Sequence, residues 1–248
     1  MSVTVEKALQ LIEALAGANG PVGVSQLGRE LQINKSTVYR LLDTLVRHGY
    51  AKQEEDGVRY ALTVKLWEMG IGVVRGLSLP RAARPMLEQA AEETGETTML
   101  AVVEGRDALI IDKVDSRHPL QIFSPLGARL PISNSAMGRV LLAYQSAEFI
   151  EAAVEAFVPR TEFGIQTPEQ LRKDLERIRL EEASHSCDEW QIGIAGAAAP
   201  VRDATGMVAG AFCITGPTAR LCEDKLKELR MRCQMASRTI SQMLGYSG

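Results

Sequence analysis

The chain has 248 residues, 46% of them hydrophobic and 24% charged, with a net charge of −3. This length and balance suit one large or two ordinary globular domains and exclude a collagenous, disordered or disulfide-dense chain. They also exclude a generally basic nucleic-acid binder, so any DNA affinity must come from where charges sit. Residues 1–80 hold nine basic against eight acidic residues, a weak bias toward nucleic acid at this end. The four cysteines, Cys187, Cys213, Cys222 and Cys233, show no CxxC spacing and read as free thiols. Glu6 and Glu13 interrupt the first apolar stretch, which argues against a signal peptide, and no apolar run is long enough to span a bilayer. The expected location is cytoplasmic, with no membrane association.

Val5, Ala8, Leu9, Ile12 and Leu15 recur at helical spacing until Gly17 to Pro21. Ser25 then caps a second short helix carrying Leu27 and Leu31. Asn34 stands at the N-cap of a third, in which Val38, Leu41, Leu42, Leu45 and Val46 form one stripe, and Gly49 ends it. Tyr50 to Gln53 and Val58 to Leu62 read as two strands joined through Asp56-Gly57. Three helices and a hairpin predict a winged helix-turn-helix over residues 1–62. Thr63 opens a connector helix over 63–80 with Leu66, Met69, Val73, Val74 and Leu77 on its apolar side.

Residues 81–248 predict a second, α+β domain, with helices to one side of an antiparallel sheet. Its elements are a helix near Ala82–Thr94, strands at Thr97–Val103, Ala108–Val114 and Pro119–Phe123, and helices after Ser135, near Ala147–Phe157 and near Pro168–Ala183. Strands at Ala197–Arg202 and Met207–Ile214 and a long helix near Ala219–Leu244 complete it.

A helical wheel of the third helix sets Val38, Leu41, Leu42 and Leu45 against Ser36, Arg40, Asp43 and Arg47. One side suits packing within a small domain, and the other suits a DNA major groove, with bases and phosphates met near the helix N-terminus. The candidate DNA-contacting residues are Lys35, Ser36, Thr37, Tyr39 and Arg40, with Ser25 from the preceding helix and Arg47 and Arg59 reaching flanking phosphates. An amphipathic helix with a merely solvated polar face is the plainer alternative.

Several segments in register resemble the IclR family of bacterial transcriptional regulators. They are "EKALQLIEAL", "VSQLGRELQINKSTVYRLLDTLVRHGYAKQ", "RYALTVKLWEMG", "LGARLPISNSAMGRVLLA" and "GAAAPVRDATGMVAGAFCITGP". The resemblance spans nearly the whole chain. It implies a winged helix-turn-helix, a linker helix and a GAF-like effector-binding domain with an antiparallel sheet flanked by helices, assembled as homodimers or homotetramers. It further implies a double-stranded DNA operator and a small organic effector as partners, in the service of a catabolic operon.

By the same resemblance the backbone of Gly127 and Ala128 would face the effector's anionic group, Asp188 would line the pocket, and Cys213 would take a position often filled by Ser. Ser133 replaces a common His, and Ala195 and Gly196 replace a common Arg and Cys. These smaller residues suggest an effector larger than a two-carbon acid. No cofactor or metal is expected. An effector-independent architectural DNA-binding protein is the first alternative. His185 and Cys187 would share a strand face, but without a flanking signature or orienting group they make a poor nucleophilic site, so no enzyme is expected.

Overall fold

The computed structural model describes residues 3–69, 78–221 and 223–247, and they form two compact units divided near residue 76. Helix α1 (Val3–Gly17) leads into a short strand β1 (Val22–Gly23), then α2 (Val24–Glu30), α3 (Lys35–Arg47), and the hairpin strands β2 (Ala51–Gln53) and β3 (Arg59–Leu62). The three strands form a sheet in the order β1-β3-β2. Leu11, Leu15, Leu27, Val38, Leu42 and Tyr60 meet in one core.

Two details differ from the sequence reading. The α1 face that packs inward carries Leu11 and Leu15, whereas Val5 and Leu9 are more than half exposed, because a helix so rich in apolar residues has two possible faces. Ser25 does not cap α2. Val22 and Gly23 pair with β3, so the chain passes directly from strand to helix, Gly23 takes the N-cap position, and Ser25 falls inside the first turn. Residues 65–69 are helical as expected of the connector, but Val73, Val74 and Leu77 lie outside the described residues.

The second unit begins with α4 (Ser78–Thr94), followed by β4 (Thr97–Glu104), β5 (Asp107–Val114) and β6 (Arg129–Pro131). Then come α5 (Ala136–Ala143), α6 (Ala147–Glu155), α7 (Pro168–Glu181), β7 (Ser184–Cys187), β8 (Ile194–Arg202), β9 (Val208–Pro217) and α8 (Glu223–Met243). The strands make one six-stranded antiparallel sheet in the order β6-β5-β4-β9-β8-β7.

Period-two alternation divides the strand residues between two cores. Met99, Ala101, Ile110, Ala198, Ala211 and Cys213 face α5, α6 and α7. Leu100, Ala197, Val201, Phe212 and Ile214 face α4 and α8. The α+β class is as expected, but helices cover both faces rather than one. Pro119–Phe123 is not a strand: β5 pairs instead with Arg129–Pro131, and Pro119 and Pro125 lack the N–H a ladder needs. The edge strand β7 was not legible in "SHSC", which is too short and polar to show alternation. Among the described residues no helix is long and apolar enough to cross a membrane.

Candidate functional sites

The amide of Thr37 donates to the Asn34 side chain at 2.9 Å, which caps α3, and the Ser36 hydroxyl donates to the same oxygen at 3.1 Å. The turn before α3 is tight. Gln32 adopts φ 55°, the Ile33 amide donates to the Gly28 carbonyl at 3.0 Å, and a β-carbon on Gly28 would lie 2.8 Å from the Ile33 carbonyl oxygen. Val38, Leu41, Leu42 and Leu45 are all buried, which leaves Lys35, Ser36, Tyr39 and Arg40 exposed along the first turns of α3 and Thr37 half-buried.

The basic residues of this surface fall into two groups. Lys35 and Arg40 have no acidic partner among the described residues. Arg47 is held by Asp43 at 3.1 Å on the same helix, and Arg59 by Asp56 at 2.6 Å in the wing. The wing turn itself is built on Asp56, whose carboxylate accepts from the amides of Val58 and Arg59 at 2.9 and 3.0 Å. These two amides and the Arg59 guanidinium lower the Asp56 carboxyl to about 2. Ser25 is exposed on α2.

In the second unit, a cavity of about 240 Å³ opens between the sheet and the start of α5. Met99, Leu130, Met137, Trp190 and Ile194 supply apolar wall, and Phe123, 90% exposed, contributes from the segment joining β5 to β6. Among the described residues no charged side chain lines it. Ser186, 8% exposed and without a side-chain hydrogen bond among the described residues, is one of its few polar groups. Ser135 caps α5 by accepting from the Gly138 amide at 3.0 Å. Ala136 and Met137 line the cavity, and their amides stand in the first turn, where no intrahelical acceptor exists.

Of the residues singled out for an effector, Ala128, Gly196 and Cys213 line this cavity. Burial pushes the Cys213 thiol up to about 12, so it stays a neutral thiol. The other placements correct the sequence reading. The Gly127 and Ala128 amides are already used, donating to Ile110 and Pro125 carbonyls at 2.9 and 3.1 Å, because the turn closes on itself and on β5. Free amides are found instead at the start of α5.

Asp188 does not line the cavity. It takes φ 58° and pins the β7–β8 connection, accepting from the Gly193 amide at 2.6 Å and the Thr218 hydroxyl at 2.8 Å. Ser133 lies on a different cleft, and Ala195 faces the α4/α8 side of the sheet, so its size does not bear on the cavity.

The sequence reading missed Arg139, whose polar type on a buried helix face was the available signal. It is 2% exposed, and its guanidinium meets Glu189 at 2.6 Å and donates to the His185 carbonyl at 2.8 Å. Its Nε approaches Asp174 at 2.8 Å as an ionic contact without hydrogen-bond alignment. Glu189 precedes Trp190, so this pair anchors part of the cavity wall to α5. Burial raises the Glu189 carboxyl despite the nearby guanidinium. Burial also lowers His185 and raises Cys187, which keeps both neutral and opposes a thiolate–imidazolium pair.

Comparison with known proteins gives consistent results. Residues 71–242 match the sequence model described as bacterial transcriptional regulator IclR C-terminal, and residues 4–55 match the IclR helix-turn-helix domain. The chain is 31% identical to the HTH-type transcriptional regulator KdgR of Escherichia coli over 245 residues, covering 98% of this chain and 93% of the relative. It is 32% identical to the glycerol operon regulatory protein of Streptomyces coelicolor over 251 residues, covering 98% and 96%. The crystal structure of Thermotoga maritima IclR has a TM-score of 0.80 at 26% identity, covering 98% of this chain and 99% of that one.

Proposed function

The chain belongs to the IclR family of bacterial transcriptional regulators, and we propose that it is an effector-responsive one, reading an operator through α3 and a small organic acid through the cavity beside α5. The supporting observation is the division of α3. Its apolar side is fully used inside its own domain, while Lys35 and Arg40 remain exposed and, among the described residues, free of acidic partners at the end a major groove would admit. Arg40 and Tyr39 reach base edges, Lys35, Ser36 and Thr37 reach phosphates, and Arg47 and Arg59 serve flanking phosphates after leaving their acidic partners.

In the cavity, the carboxylate of the effector sits at the Ala136 and Met137 amides with the Ser186 hydroxyl, and its apolar or aromatic body fills the wall of Met99, Leu130 and Trp190. Amides at a helix start favour one negative charge, and the absence of lining cations among the described residues disfavours two. A cavity of about 240 Å³ exceeds the roughly 150 Å³ that accommodates benzene, so a two-carbon acid would leave it poorly filled. A relative named for a glycerol operon supports control of a catabolic operon. The more than half exposed Val3, Val5 and Leu9 on α1 support assembly as a homodimer or homotetramer.

Two measurements test this. Binding to DNA flanking the gene should weaken and lose base preference in Arg40→Ala, whereas Lys35→Ala should reduce the salt slope by about one. Unchanged binding across salt would remove α3 from the interface. Thermal melts against alkyl and aryl monocarboxylates, dicarboxylates and two-carbon acids should shift only with the first group, and less in Ser186→Ala. Shifts confined to two-carbon acids or dicarboxylates would overturn the assignment of effector class. An absence of any shift would favour the architectural alternative.

A further inference from the structure

A second cleft, of about 280 Å³, lies between the β4–β5 turn, the segment after β6, and α6. Its wall is apolar where Ile132, Phe149, Ala153 and Val158 meet. At its rim stand two guanidiniums, Arg106 and Arg160, neither with a carboxylate partner among the described residues. The lone acid there, Asp107, has Arg129 at 3.8 Å, so its charge is already opposed.

The polar floor is fixed. The Ser133 hydroxyl, in a residue 9% exposed, donates to the Asn134 side chain at 3.2 Å, and Asn134 donates to the Val158 carbonyl at 3.0 Å. In a chain of net charge −3, two unopposed cations over an apolar hollow make a local site of the opposite sign. Arg160 has one further contact: its guanidinium lies 4.9 Å from the centre of the Trp190 ring, and Trp190 lines the cavity beside α5.

We propose that this cleft is a second ligand site, taking a small monoanion with an apolar body and coupled to the first cavity through Arg160 and Trp190. The anion pairs with Arg106 and Arg160 in the bidentate manner guanidiniums favour, and the body covers Phe149 and Ile132. An anion on Arg160 weakens its hold on Trp190, so each ligand alters the affinity for the other by the same factor. The coupling rests on the proposed reading of the cavity beside α5, whereas binding in the cleft itself does not.

Calorimetric titration of the full chain with benzoate and with hexanoate, into the low-millimolar range, tests it. The expected result is two binding events per chain. Arg106→Gln/Arg160→Gln should weaken one of them at least about tenfold and leave the other in place. Both residues are exposed, so folding should be little affected, which a melt confirms. Ala128→Phe, which fills the first cavity, should remove the other event. Trp190 fluorescence, read alone in Trp67→Phe/Ala128→Phe, should respond to the second-cleft event and lose that response once Arg160 is also replaced.

Titration left unchanged by the double arginine substitution, whether one event or two are seen, would overturn the proposal. So would loss of both events in Ala128→Phe. A single event that the double arginine substitution weakens would uphold the cleft and count against the first cavity. Retention of both events in Ala128→Phe would likewise count against the first cavity, and the two failures are therefore separable.

Discussion

Replacing Arg139 by Met is the sharpest probe of the cavity wall. Arg139 is 2% exposed, while its partners Glu189 and Asp174 are 17% and 14% exposed at the side chain. Asp174 keeps Arg177 in the variant, but among the described residues Glu189 keeps no cation. Breaking a buried pair so that one charge remains uncompensated costs about 3–5 kcal/mol. At roughly 2–4 °C per kcal/mol for a domain of this size, the melting temperature should fall by about 6–20 °C.

The pH dependence fixes the cause. A carboxyl raised in the folded state carries a penalty that is fully present above its folded pKa and vanishes below its unfolded value, near 4.5. Burial already raises Glu189, and loss of Arg139 raises it further, so the deficit should be large at pH 8 and small at pH 4.5. Adding Glu189→Gln to Arg139→Met should recover most of the loss. Urea melts of both variants at both pH values decide the matter. A deficit under about 1 kcal/mol, or one independent of pH, would refute the view that an uncompensated buried charge is what matters.

Two other outcomes follow from the DNA-binding unit. Gly28→Ala should improve helix propensity by about 1 kcal/mol yet destabilise the unit overall by about 1–3 kcal/mol, because the new β-carbon meets a backbone oxygen at 2.8 Å that has no room to retreat. A raised melting temperature would show that the turn before α3 is looser than its geometry. Asp56, lowered to about 2, contributes to wing stability fully above pH 4 and loses that contribution as pH falls through 2. An NMR titration should therefore show the Val58 and Arg59 amides unmoved down to about pH 3, and a midpoint near the ordinary 3.8 would mean that the turn is not held by this carboxylate.

Residues with local signals were legible from the chain alone. Asn34 before an amphipathic run, Asp56-Gly57 between two short strands, and Ser135 before "AMGRVLLA" each act within a few residues of themselves, and each stands where the pattern placed it. The burial of Val38, Leu41, Leu42 and Leu45 follows from spacing for the same reason. Interactions decided at long range were not legible. Ser25 loses its capping role because residues 22–23 pair with a strand some forty positions later. Gly127 and Ala128 look like free amides in a glycine turn, but they donate to a β5 carbonyl and to the turn's own carbonyl. Arg139 stands out as a polar residue in an apolar helix, but its partners could not be read until α7 and the β7–β8 connection closed over it and supplied two carboxylates. The sequence by itself determined the principal helices, the wing and the β4–β5 hairpin, the family, and the face of α3 left free, because those depend on periodicity and caps. Only the tertiary structure decided which amides remain unpaired, which charges are buried, and where the cavities lie, because hydrogen-bond partners and desolvation come from elements distant along the chain.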